Sequence, residues 1–190
     1  MNFAIFVRMI FRALSRLYFR ISGWKLQGEL PAEVRKCVMV AAPHTSNWDF
    51  PIARATFFLL KIPVKFLAKK ELFFFPFGTV LKALGGIPIN RKKSNNLVEE
   101  MTKMLKENDE LVLLIPAEGT RKPVKKWKSG FYYTALNAGV PIVLGFMDYK
   151  EKIAGIGPVI YPTGDYDKDI AEIKDFFKDK TPKHPENFRY

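Results

Sequence analysis

Val34-Arg35-Lys36-Cys37-Val38-Met39-Val40-Ala41-Ala42-Pro43-His44-Thr45-Ser46-Asn47-Trp48-Asp49 is the stretch from which the rest of the chain can be read. Val34 to Ala42 is a short, largely apolar run with no polar alternation, which predicts a buried strand that stops at Pro43. Thr45, Ser46 and Asn47 are turn-forming and helix-capping residue types. A helix is expected to follow, from near Trp48 to about Leu60, because Pro51 is tolerated only in a first turn. A strand, a polar loop carrying a histidine and then a helix is the repeating unit of a layered α/β protein.

Working outward, the same alternation continues. Strands are expected at Val64–Ala68, Gly86–Asn90, Leu111–Ile115, Pro141–Phe146 and Ile153–Ile160. Helices are expected at Phe77–Leu84, stopped by Gly85-Gly86, and at Ser129–Ala138, ended by Gly139. Asn96 with Glu99 resembles a capping box, and Leu97, Met101, Met104 and Leu105 then follow helical spacing. Ile170, Ile173, Phe176 and Phe177 mark a last amphipathic helix. The fold class is therefore α/β: one domain with a mostly parallel or mixed sheet flanked by helices, preceded by an N-terminal amphipathic helix. Its 190 residues suit one core and leave little room for a second. The polar tail after Thr181, including His184, is expected to be mobile and without a role.

Residues 1–22 form their own segment, with residues 23–190 as the domain. Arg8, Arg12, Arg16 and Arg20 recur every fourth residue, with no acidic side chain among them. On a helix each step drifts by only about 40°, so the four share one broad face. Phe, Leu, Ile and Tyr fill the rest. An arginine in every turn excludes a spanning helix, and no small-residue cleavage site follows for a signal peptide. The pattern suits a helix lying in a membrane interface. Net charge is +12, from 31 basic and 19 acidic residues, and attracts phosphate-rich partners. The basic run Arg121–Lys128 is too short and too isolated for a nucleic-acid fold, so no nucleic acid is expected. The single cysteine, Cys37, excludes an intramolecular disulfide and reads as a buried small hydrophobe.

His44 lies where α/β sheets bind ligands, beyond the carboxyl end of a strand. On a continuous helix His44 and Asp49 would point about 140° apart, so they meet only if the intervening loop turns. A carboxylate on one ring nitrogen fixes the tautomer and leaves the other nitrogen as a base. No Gly-x-Ser-x-Gly elbow is present, so the nucleophile is expected to be a substrate hydroxyl. Two further strand ends deliver charge: Arg91 after Gly86-Ile87-Pro88-Ile89-Asn90, and Glu118 and Arg121 after Pro116-Ala117. A pair of arginines suits a dianionic phosphate, and Glu118 is expected to orient them or to bind a substrate hydroxyl. With one candidate histidine and one buried cysteine, no metal site is visible.

Taken together, these blocks resemble the glycerolipid acyltransferases of the bacterial lysophosphatidate acyltransferase type. His44 and Asp49 match a His-x4-Asp block, Gly86 to Arg91 a block ending in arginine, Glu118-Gly119-Thr120-Arg121 a Glu-Gly-Thr-Arg block, and Val140-Pro141-Ile142-Val143 a Val-Pro strand. Ala117 departs from the pattern by separating Pro116 from Glu118, as does Leu144 in place of a second proline. The resemblance implies His44 and Asp49 as the catalytic pair. It implies Arg91, Glu118, Gly119, Thr120 and Arg121 as substrate-binding residues, and no cofactor beyond acyl-coenzyme A or acyl-carrier protein as donor. The implied partners are a lysolipid acceptor, 1-acyl-glycerol-3-phosphate first and a lyso-aminolipid as the alternative, and an anionic membrane surface. The implied location is the cytoplasmic face of the inner membrane, as a peripheral or monotopic protein. Phe57, Phe58, Phe73, Phe74, Phe75 and Phe77 are candidates for an acyl slot, and the Arg121–Lys128 run for docking the donor's carrier. A non-catalytic membrane binder is the reading from another class; it predicts that His44→Ala changes nothing.

Overall fold

The computed structural model describes residues 3–89 and 96–188, with side chains of the first helix from Met9 onward. Seven strands form one sheet: β1 (Lys25–Gln27), β2 (Lys36–Ala42), β3 (Val64–Lys69), β4 (Gly86–Ile89), β5 (Leu111–Pro116), β6 (Ile142–Asp148) and β7 (Ile153–Ile160). The helices are α1 (Phe3–Ser22), α2 (Asp49–Leu60), α3 (Phe77–Ala83), α4 (Leu97–Glu107), α5 (Gly130–Ala138) and α6 (Tyr166–Phe177). The strand order is β1-β7-β6-β2-β5-β3-β4. β6, β2, β5, β3 and β4 are mutually parallel, β7 runs against β6, and β1 is parallel to β7. The expected mixed α/β sandwich is therefore what forms.

Burial follows from that order. β2 lies at the centre, with Cys37, Val38, Met39 and Val40 wholly inaccessible, because helices cover both faces of the sheet. One face packs Val38, Val40, Leu113, Ile142 and Leu144 under α4, α5 and α6, through Leu105, Phe131, Ile173 and Phe177. The other packs Cys37, Met39, Val64, Val112 and Val143 against Phe57 of α2. Within the first layer, Asp169 accepts bonds from the Tyr132 hydroxyl at 2.8 Å and the Thr163 amide at 2.7 Å, which pins α6 to α5.

α1 has three distinct faces. Ser15 and Phe19 are buried against the domain, and Phe11 stacks on Phe58 of α2 with ring centroids 5.3 Å apart. Leu14, Leu17 and Ile21 point away from the domain, and Ile21 is 77% exposed. Arg16 and Arg20 are exposed on one flank, with Arg12 half-buried beside them.

Several expectations change. β2 begins at Lys36 rather than Val34, because the Val34 amide is committed to a turn with Pro31. Asn96 does not cap α4: its amide donates to the Glu99 carboxylate at 2.7 Å instead of closing a capping box. The short, exposed β1 was unforeseen, since three residues carry no period. Trp127 is a core residue packed on Phe177, so the basic run at 121–128 presents lysines without its aromatic. The tail is not loose either. Pro182 is buried, residues Pro185–Asn187 form a 3-10 turn, and Phe188 packs against the main core.

Candidate active site

Parallel strands place the ends of β2, β3, β4, β5 and β6 along one edge of the sheet. The chain leaves β2 through Pro43 and turns at once. The Trp48 amide donates to the Ser46 hydroxyl at 3.2 Å, and the Asp49 amide to the Ser46 carbonyl at 3.4 Å. That turn brings His44 and Asp49 to the same side. Nδ1 of His44 lies 3.0 Å from Oδ2 of Asp49. A carboxylate only accepts, so Nδ1 carries a hydrogen, and in the neutral ring the lone pair lies on Nε2.

Asp49 is fixed by more than its histidine. Oδ2 also accepts the amides of Thr45 and Ser46, each at 2.9 Å, while Oδ1 accepts the Tyr149 hydroxyl at 2.6 Å. Its side chain is nearly inaccessible. Burial alone pushes this carboxyl up, but the bonds from His44, Tyr149 and the Ser46 amide outweigh it and hold it below the usual carboxylate range. Burial first, and the bond to Asp49 second, push the Tyr149 phenol far up, so it remains a donor. Sequence reading missed Tyr149. It sits just past the end of β6, and only the pairing of β6 beside β2 brings it to Asp49.

Glu118 meets the His44 loop rather than Arg121. β5 pairs with β2 so that Pro116 lies opposite Ala41, and Ala117, wholly buried, carries Glu118 up to the His44 loop. Its Oε1 accepts the His44 backbone amide at 3.0 Å. Its Oε2 is buried with no partner among the described residues. Burial raises this carboxyl, against the opposing pull of the His44 amide. Glu118 is therefore bonded to the histidine's backbone, and no bond joins it to Arg121, which is exposed. Gly119 turns the chain at φ +66, and the Thr120 hydroxyl accepts the Lys122 amide at 3.3 Å. Both shape the loop after β5. Arg91 lies outside the described residues. Among the described residues no group of His, Cys, Asp and Glu is placed to hold a metal ion.

The acyl-slot candidates separate. Phe57 belongs to the core, and Phe58 lies between Phe11 and the Arg54 guanidinium, 4.8 Å from its ring. Phe74, Phe75 and Phe77 are surface residues, with Phe75 88% exposed. Arg54 is itself buried, which lowers it to about 10.

A parallel-centred α/β sheet with an aspartate-held histidine at its carboxyl edge is an arrangement that an enzyme of the acyl-transfer class can use. Residues 25–144 match the Acyltransferase family model, well over half of the chain, and the protein belongs to that family. Among solved structures it is similar to the 1-acyl-sn-glycerophosphate (LPA) acyltransferase PlsC from Thermotoga maritima. That match has a TM-score of 0.60 at 17% identity, over 94% of this chain and 83% of that one. At this identity the likeness speaks for the fold. No curated protein sequence gives a significant match. Family membership sets aside the non-catalytic reading.

Proposed function

We propose that the protein moves a fatty acyl chain from the thioester of acyl-coenzyme A or acyl-carrier protein to the hydroxyl of 1-acyl-glycerol-3-phosphate, giving phosphatidate. The carrying observation is His44: its Nδ1 is held by Asp49, which leaves Nε2 as the base. Cys37 is sealed in the core, and the Ser46 hydroxyl is buried and used in the turn. The attacking oxygen therefore comes from the acceptor. Nε2 takes the hydroxyl proton, the oxygen bonds to the thioester carbonyl carbon, and the carbon–sulfur bond breaks. The imidazolium, supported by Asp49, returns the proton to the departing thiolate. General-base help of this kind supplies roughly 10²–10⁴-fold.

A lysolipid acceptor is supported by the apolar surface. Leu14, Leu17 and Ile21 on α1 and Phe74, Phe75, Phe77 and Val80 around the start of α3 are all more than half exposed. Lys69 and Lys70 lie four residues or so before the second group, and Arg16 and Arg20 flank the first. Apolar side chains rimmed by cations suit an anionic bilayer. No helix among the described residues is long and apolar enough to cross a membrane. A surface recess beside α1 is lined by Arg12, Arg16, Phe19, Trp24, Leu26 and Leu59.

The test is transfer of labelled acyl chain from each donor to lysophosphatidate in micelles, by wild type and by His44→Ala, with a phosphate-free lyso-aminolipid alongside. Turnover that needs both His44 and the acceptor phosphate is expected. Equal turnover with the phosphate-free acceptor would refute the phosphatidate assignment, and full activity in His44→Ala would refute the mechanism.

A further inference from the structure

After α6 the chain does not leave the domain; it doubles back across the catalytic loop. The Thr181 carbonyl accepts the Tyr149 amide at 2.8 Å. The His184 amide donates to the Thr45 hydroxyl at 3.2 Å. Between them, the Lys183 ammonium sits 5.0 Å from the centre of the Trp48 ring, beside Asp49 in the sequence. Pro182 is buried, and Phe188 anchors the far end in the core.

The two residues bonded by this segment are informative. Thr45 donates its amide to Oδ2 of Asp49, and Tyr149 donates its hydroxyl to Oδ1. The segment thus holds one donor to each oxygen of the carboxylate that orients His44. We propose that residues 181–188 form a positioning strap: by fixing Thr45 and Tyr149 they set Asp49, and through it the imidazole. The inference rests on His44 acting as the base. Ordinary terminal packing would stabilise the fold; a strap also governs kcat and the protonation of the base.

The experiment compares wild type, Thr45→Val, a chain ending at Lys180 and the combination of the two, with His44→Ala as reference. Folding is checked by circular dichroism and melting, and kcat and KM are followed across pH. Thr45→Val keeps size and backbone amide but removes the acceptor of the His184 amide. Misplacing a catalytic group by a fraction of an ångström to an ångström costs rate steeply. Truncation is therefore expected to lower kcat on the order of tenfold to a hundredfold with KM little changed. The acid limb of kcat should move to lower pH, because a loosened Asp49 supports the imidazolium less. Thr45→Val should reproduce part of this loss and add nothing further in the truncated chain. If truncation unfolds the protein, Thr45→Val and Lys183→Ala in the full chain carry the test through the same pH profile. The strap is overturned if these variants keep wild-type kcat and acid limb while His44→Ala is inactive, or if the Thr45→Val and truncation losses simply multiply. An active His44→Ala would instead remove the base assignment on which the strap depends.

Discussion

Replacing Tyr149 with phenylalanine tests how the Asp49 carboxylate is held. The ring, packed edge-on against Trp24 with centroids 5.1 Å apart, is retained. The lost atom is the hydroxyl, 2.6 Å from Oδ1 of Asp49. A hydrogen bond to a charged group contributes about 1.5–3 kcal/mol, so a loss of about 2 kcal/mol in stability at neutral pH is expected. Its pH dependence has a definite sign. Asp49 has a depressed folded pKa, so its stabilisation is present above the ordinary carboxylate range and disappears as pH falls through the folded value. Tyr149→Phe removes one of the opposing bonds and lets burial raise that value. The stability gap between the two proteins should therefore be widest at neutral pH and close in acid, where both carboxyls are protonated. In catalysis Asp49 keeps His44, Thr45 and Ser46 on Oδ2 but can swing about that oxygen. A fall in kcat of about tenfold, or about 1.4 kcal/mol in the barrier, is expected. Thermal melts over a pH series and acyl-transfer rates read both effects. A stability gap independent of pH, or an unchanged kcat, would refute the account.

Three further outcomes follow from the same structure. Changing Leu14, Leu17 and Ile21 together to serine should weaken binding to anionic vesicles by about 3 kcal/mol, over a hundredfold, at about 1 kcal/mol for each partly exposed side chain. Co-sedimentation measures this, and unchanged binding would remove α1 from the interface. Gly119→Ala forces a side chain into φ +66 with its Cβ 3.2 Å from Cγ of Lys128, and should cost about 1–2 kcal/mol in a melt. Cys37, wholly buried and pushed up to about 12 by that burial, should react with thiol reagents only at the rate of global unfolding; faster labelling of native protein would contradict its place in β2.

The fold was legible where periodicity was strong. β7 spans Ile153–Ile160 as its apolar run predicts, and α5 ends at Gly139 in the left-handed conformation that glycine supplies. Three-residue β1 was invisible because it is too short to show alternation. The contact between His44 and Asp49 was readable because both residues sit on one loop rich in turn formers. Its supports were not. Tyr149 and the Glu118 carboxylate reach that loop only through the placement of β6 and β5 on either side of β2, information that lies in strand order rather than in local residues. The tail misled for a related reason: Lys183, His184, Pro185 and Glu186 look solvated until their backbone contacts are known.

The placement of β2 between β5 and β6 bears on how the protein acquires activity in time. His44 and Asp49 are five residues apart, yet the groups that fix them arrive from 74 and 100 residues further along the chain. Pairings of such long range close late in folding, since the loop entropy is lost before the contacts form. Helices and the local turn around Ser46 can appear early without a competent base. Recovery of turnover is therefore expected to lag behind recovery of the helical signal during refolding.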